Sequence, residues 1–460
     1  METKGSTMSF LVVSVLVLSA MFQDCSAAFN LLNRKKPSAS AAASSSAKRD
    51  AKSAPSSVVF PVRGNVYPEG LYYVTLYIGQ QPKPYYLDID TGSDLTWLQC
   101  DAPCVSCSQV PHPLYRPKNN LVYCQDPICA SVNHPGNHKC ERPKDQCDYD
   151  IEYADHGSSL GVLVKDEFPL RVTNGSLLKP HLVFGCGYDQ EFSTVSSSPT
   201  DGVLGLGNSK SSIISQLSDQ GLTRNVVGHC FDGQGGGFLF FGDDLVPPSG
   251  VVWTPMSRNP LNKYYSPGPA QLIFGGQHTG VKGLMTVFDS GSSYTYFNSK
   301  FYQTFISLVR KDLTGKPLKE ARDDQTLPIC WKGTKPFKSI RDVKEHFKPL
   351  TLSFSNGKNA RLEILPESYL IISSHGNACL GILNGTEIGL QDINIIGDTL
   401  LRDKIVIYDN EKRQIGWIAT YCNRLPNEDR GGKASHPYGI DFSILSDQYP
   451  AVYSFGDDAV

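Results

Sequence analysis

Two short stretches hold the residues best suited to chemistry. "LDIDTGSDLTW" carries Asp90, Thr91, Gly92 and Ser93, and "TVFDSGSSYTYF" repeats the design with Asp289, Ser290, Gly291 and Ser292. Each is an apolar strand ending in Asp-Thr/Ser-Gly-Ser, a costly place for a lone carboxylate. One such stretch reads as a strand running into a turn. Two of them, each followed by an apolar pair and a glycine ("DGVLGLG" at 201–207, "INIIGDTLL" at 393–401), read as an internal repeat. Two halves of like design can bring both carboxylates to a pseudo-twofold axis, where they cannot both ionise cheaply and share one proton over a broad acidic range. Such a pair is a base and an acid at once: the ionised member polarises a water, and the protonated one hydrogen-bonds a carbonyl oxygen. No covalent intermediate is needed. Gly92 and Gly291 let backbone amides approach the carboxylates. Thr91 and Ser290 have hydroxyls to lock the two loops together, and Ser93 and Ser292 can bond the outer carboxylate oxygens.

The elements that must position these groups are mainly strands. "LYYVTLYIG", "YYLDID", "HLVFGCG", "GGFLFFG", "GVVWTPM", "LMTVFD", "LEILPESYLII" and "KIVIYDNEKRQIGWI" are β-branched and aromatic, with Gly, Pro or Asn at their ends. Helical pattern is sparse. "SSIISQLSDQG" has serines at its start and glycine at its stop, and "NSKFYQTFISLVRKDLTG" puts Phe301, Phe305 and Val309 on one face. The fold class is mostly β with a few short helices.

The 460 residues allow two or three domains, and a formal net charge of −2 gives no electrostatic reason to expect nucleic acid as a partner. Lys4, the apolar run Phe10–Phe22 and the small residues after it form a signal-peptide layout, with cleavage near Ala27 or Ala28. The run is short for a membrane span. No later stretch is long and apolar enough to cross a bilayer, and the polar tail lacks a lipid-anchor signal. From Phe29 to Ser57 a Ser/Ala-rich stretch carries six Lys/Arg against one Asp. It reads as a pro-segment docking on an acidic body, or as a plain linker. The expected organisation is signal 1–28, leader 29–60, first lobe 61–248 with a Cys-rich insertion at 100–147, second lobe 249–422, and tail 423–460. The lobes meet near "VPPSG".

Of 13 cysteines, Cys25 falls in the signal, leaving 12, an even number that reads as disulfides in a secreted chain. Cys100, Cys104, Cys107, Cys124, Cys129, Cys140 and Cys147 crowd together, and Cys186 completes a set of eight whose pairing is open. Zinc, suggested by "CDAPCVSC", is the weaker reading because oxidation wins in that compartment. The sequons at Asn174 and Asn384 fit a secretory route and exposed loops. There is no G-x-S-x-G for a serine-hydrolase elbow. "GQGGGF" reads as a hairpin turn, and the histidines lack ligand-like spacing. No cofactor is expected.

From Tyr72 to Ala419 the chain resembles the pepsin-like aspartic proteases, most nearly the atypical plant branch called nucellin-like. That branch has a Cys-rich insertion and lacks the saposin-like insert, for which Asp289–Gly397 is too short. The resemblance implies two pseudo-symmetric, six-stranded, barrel-like lobes, with Asp90 and Asp289 as the catalytic pair. It makes Tyr153 the flap tyrosine that closes over bound peptide, and Trp97 the tryptophan that positions it. It pairs Cys330 with Cys379, leaving Cys230 with Cys422. It implies an endopeptidase with apolar side chains flanking the cut, peptide or protein substrates and pepstatin-like inhibitors. A monomer is expected, the shared proton predicts an acidic optimum, and the secretory layout leaves apoplast or vacuole, with a plastid raised as a minor alternative by the Ser/Ala-rich basic leader. The chain departs from the family at its flap, where "YADHGSS" has Ala154 and His156 interrupting the usual glycines, and in its short pro-segment. The rival is a silent, xylanase-inhibitor-like binding protein on the same fold.

Overall fold

The computed structural model describes residues 56–102, 107–132, 140, 142–154, 156–191, 198–257, 264–390 and 392–425. The signal segment, the leader up to residue 55, Cys104 and the tail beyond residue 425 lie outside them. The first half is built on β1 (Val58–Asn65), β2 (Leu71–Ile78), β3 (Lys83–Asp90), β4 (Trp97–Gln99), β5 (Asp148–Glu152) and β6 (Ser158–Glu167). Strand alternation sorts their side chains. On β2, Tyr72, Val74, Leu76 and Ile78 are buried; on β3, Tyr85, Leu87 and Ile89 join them, and the opposite face carries Tyr86, Asp88 and Asp90.

The repeat is visible in the sheets. β3 runs parallel to Gly202–Gly205, with Asp90 opposite Gly205. Gln277–Phe288 runs parallel to Ile393–Ile396, with Phe288 opposite Ile396. In each half a short antiparallel strand lies beside the apolar-Gly strand: β4 in the first and Thr295–Phe297 in the second. Each Asp therefore emerges where two parallel strands end together.

The two halves do not form two separate six-stranded units. One sheet of thirteen strands runs from Val252–Pro255 through Gln414–Ala419, Lys404–Asp409, Val226–Phe231 and Gly237–Phe241 to β1, then through β2, β3, Gly202–Gly205, β4, His181–Glu191, β6 and β5. Val226–Phe231, from before the expected lobe boundary, pairs with Lys404–Asp409, from after it. This pairing leaves neither strand as an exposed edge, and the Cys230–Cys422 disulfide staples it. Val58–Phe60, placed in the leader by the sequence reading, pair with Phe241–Leu239 in β1.

The second half adds a seven-stranded sheet and a four-stranded sheet closed by Cys330–Cys379. Its long helix, Ser299–Leu313, is capped by Asn298 accepting from the Phe301 amide, and it buries Phe301, Phe305 and Val309 as their spacing predicts. In the Cys-rich region the pairs are Cys100–Cys186, Cys124–Cys140 and Cys129–Cys147; Cys107 is also disulfide-bonded. The sulfurs of Cys124, Cys129 and Cys140 lie within 4.8 Å of one another, but disulfides hold all three. Asn174 sits in an exposed turn. Asn384 is half-buried at a strand end, its amide donating to Glu387 Oε1 at 2.8 Å, and so is less open than a loop sequon.

Candidate active site

The sequence folds its two Asp-Thr/Ser-Gly turns into one reciprocal lock. The Thr91 amide donates to Ser290 Oγ at 3.1 Å, and the Ser290 amide donates to Thr91 Oγ1 at 3.0 Å. Each hydroxyl then donates onward, Thr91 to the Phe288 carbonyl at 3.2 Å and Ser290 to the Ile89 carbonyl at 2.7 Å. Buried as they are, these bonds fix the two halves in register.

Above the lock each carboxyl lies against the other half's glycine, Asp289 beside Gly92 and Asp90 beside Gly291. Asp90 Oδ1 accepts from the Gly92 amide at 2.7 Å and its Oδ2 from Ser93 Oγ. Asp289 Oδ1 accepts from the Gly291 amide at 3.0 Å and its Oδ2 from Ser292 Oγ at 2.9 Å. Burial and the Asp289 charge raise the Asp90 pKa; burial raises Asp289, with Ser292 and Gly291 pulling the other way. Two like charges in one desolvated site hold a proton between them.

Tyr153 follows β5, and the β5–β6 hairpin hangs over the cleft. Trp97 Nε1 donates to Tyr153 Oη at 2.7 Å, the contact that the resemblance implies. The Tyr153 amide donates to the Gly157 carbonyl at 2.8 Å and the His156 amide to the Tyr153 carbonyl at 3.0 Å. His156 takes φ 68°, the left-handed conformation a glycine adopts freely. The cleft, about 600 Å³, is lined from both halves, including Asp90, Tyr153, Tyr264, Asp289, Tyr296 and Ile388.

Two further carboxyls stand at this centre. Asp88 precedes Asp90 by two residues and shares its strand face. Asp398, in "IIGDTLL", is buried with neither oxygen hydrogen-bonded. Burial, first, and then the neighbouring Asp charges raise both well above the ordinary carboxylate range. The sequence signal was present, an Asp at i−2 on an alternating strand and an Asp inside the repeat, but only packing shows that both face the dyad.

This cluster sets the sign of a stability change. Asp88, Asp90, Asp289 and Asp398 have raised folded pKa values, so the native state binds more protons than the unfolded one above the ordinary value of about 4. Their contribution is fully present below that value and is lost as pH rises through the folded values. His229, lowered by burial from 6.5 to about 3, acts in the opposite direction between those values, but it is one group against four. The unfolding temperature is expected to fall between pH 4.5 and pH 7. Asp398→Asn should flatten the fall and add about 1–3 kcal/mol at pH 7. A thermal melt at each pH checks this, and an unchanged slope in the variant would remove Asp398 from the account.

Fold and site together define a two-lobed, paired-aspartate centre of the pepsin type. The chain matches the xylanase inhibitor N-terminal family over residues 72–243 and the xylanase inhibitor C-terminal family over residues 272–418. It is 46% identical over 386 residues to an aspartic proteinase of Oryza sativa subsp. japonica, spanning 81% of this chain and 93% of the relative. It is 30% identical to aspartic proteinase 36 of Arabidopsis thaliana, over 81% of this chain and 78% of that one. Among solved structures, soybean basic 7S globulin has TM-score 0.61 at 17% identity, covering 80% of this chain and 98% of its own. Conglutin gamma from lupine seeds has TM-score 0.62 at 17% identity, covering 80% and 96%. At that identity these two establish the fold alone. The chain belongs to the pepsin-like aspartic proteinase family, in its plant nucellin-like branch.

Proposed function

We propose that this chain is a secreted aspartic endopeptidase that hydrolyses peptide bonds at acidic pH. The single observation carrying the reading is the intact proton-sharing pair, Asp90 and Asp289, each held by its own glycine amide and serine hydroxyl. The ionised carboxylate takes a proton from a water held between the two as that water attacks the scissile carbonyl carbon. The protonated carboxyl gives its proton to the carbonyl oxygen. Collapse of the resulting diol breaks the C–N bond: the protonated carboxyl gives its proton to the leaving nitrogen while the ionised one takes a proton from a diol hydroxyl. The carboxyls end as they began, one proton between them. Tyr153, anchored by Trp97, covers the peptide and excludes bulk water. The leader signal, the disulfides and the sequons support a secretory route to apoplast or vacuole.

The second reading, a binding protein without turnover, is favoured by the xylanase-inhibitor family matches. Cleavage of an acid-denatured protein, with and without pepstatin, separates them. The endopeptidase reading expects pepstatin-sensitive fragments at acidic pH, and no fragments under any condition would leave the binding reading.

A further inference from the structure

Asp88 has no role in the water activation described above, yet it opens into the same cleft. On β3 it points to the side of Asp90. Registers run from Asp88 to Val203 on the neighbouring parallel strand and from Val203 to Trp97 on β4. Paired residues share a sheet face, so Asp88, Val203 and Trp97 form one row across the floor, and Trp97 ends that row at Tyr153. The cleft wall around the row includes Val110 and Ile151. The result is an apolar slot beneath the flap with a carboxyl at its base.

One oxygen of that carboxyl has no hydrogen-bond partner among the described residues. Asp88 Oδ1 is buried and accepts no hydrogen bond. Among the described residues no lysine, arginine or histidine pairs with it, and none lines the cleft, whose charged lining residues are Asp88, Asp90, Glu152, Asp201 and Asp289. Asp201 is already engaged, accepting from the Tyr86 and His112 amides and facing the His112 ring. A buried acceptor left unsatisfied is expensive and calls for a reason. Burial and the adjacent Asp90 and Asp289 charges favour the neutral form of Asp88. A cation seated at Oδ1 reverses that preference as the proton leaves.

We infer that Asp88 is a specificity residue that selects a lysine or arginine side chain of the substrate next to the cut, its aliphatic stem along Val203 and Ile151 and its cationic head on the Asp88 carboxylate. Long basic side chains suit such a slot, since they bury their methylenes and keep a charge at the tip. The charge-assisted bond supplies the discrimination. This rests on the hydrolase reading, and it departs from the purely apolar flanking preference that the family resemblance implies.

The test uses the purified protein and quenched fluorescent peptides that differ at one residue flanking the scissile bond, placed on either side: Lys, Arg, norleucine or Glu. Norleucine keeps the stem and removes the charge. The wild type is expected to favour Lys over norleucine in kcat/KM by about tenfold to a hundredfold at one of the two positions, and Glu to be the poorest. Asp88→Asn, of the same shape, should erase that ratio, and Asp88→Leu should invert it towards norleucine. Cleavage of norleucine peptides as fast as Lys peptides, or a Lys preference that survives in Asp88→Asn, would overturn the inference and leave the hydrolase reading standing. Cleavage of no peptide in the set would overturn both.

Discussion

Replacing Asp90 or Asp289 by Asn is expected to lower kcat/KM for peptide hydrolysis by about a thousandfold or more, the scale set by losing acid–base catalysis at the reacting water. The dyad works only as a pair that holds one proton, and an amide can neither take the proton from water nor give it to the carbonyl. Folding should survive, because Asn keeps an oxygen acceptor for the Gly92 or Gly291 amide. Stability should even rise at neutral pH. Both carboxyls have raised folded values, so ionising them in the native state costs free energy above about pH 4, and Asn removes that cost. Below that pH variant and wild type should melt alike. Kinetics and thermal melts on the same samples check the two halves of this expectation, and a variant that is inactive because it is unfolded would fail it.

The second large effect should come from adding a single methyl group. A Cβ on Gly92 would lie 2.4 Å from Asp289 Oδ1, and one on Gly291 would lie 2.6 Å from Asp90 Oδ1. Each glycine thus makes room for the carboxylate of the other half; the need is for space, and their backbone angles are ordinary. Gly92→Ala or Gly291→Ala must push the opposing carboxylate aside, and a displacement on the order of 1 Å can cost a hundredfold in rate. We expect kcat to fall by about that factor in each variant. Wild-type kcat in Gly92→Ala would show that this close approach does not set the dyad geometry.

Much of this site was legible in the sequence because its chemistry is local. The Asp-Thr/Ser-Gly-Ser turns and their apolar-Gly partners sit in short motifs whose residue types declare their roles, whereas the Tyr153–Trp97 pair came only from the family resemblance. The helix face of Phe301, Phe305 and Val309 follows from periodicity alone. What escaped depends on distant partners. The pairing of Val226–Phe231 with Lys404–Asp409 joins segments that no local pattern connects. The insertion's disulfides were combinatorially open, since eight cysteines allow 105 pairings. "VVF" at 58–60 had the β-branched signature of a strand but was hidden by the Ser-rich leader beside it. Asp88 and Asp398 were in plain view within quoted motifs. The packing that buries Asp398 and leaves Asp88 half-buried at the cleft is not written in either motif.

The pH profile of kcat/KM for a single peptide, run from about pH 2.5 to pH 8, tests the shared proton most directly. The account predicts a bell in the acidic range: activity lost at low pH when both carboxyls are protonated, and lost again towards neutrality when both are ionised. Activity that stays level or climbs through pH 8 would contradict it.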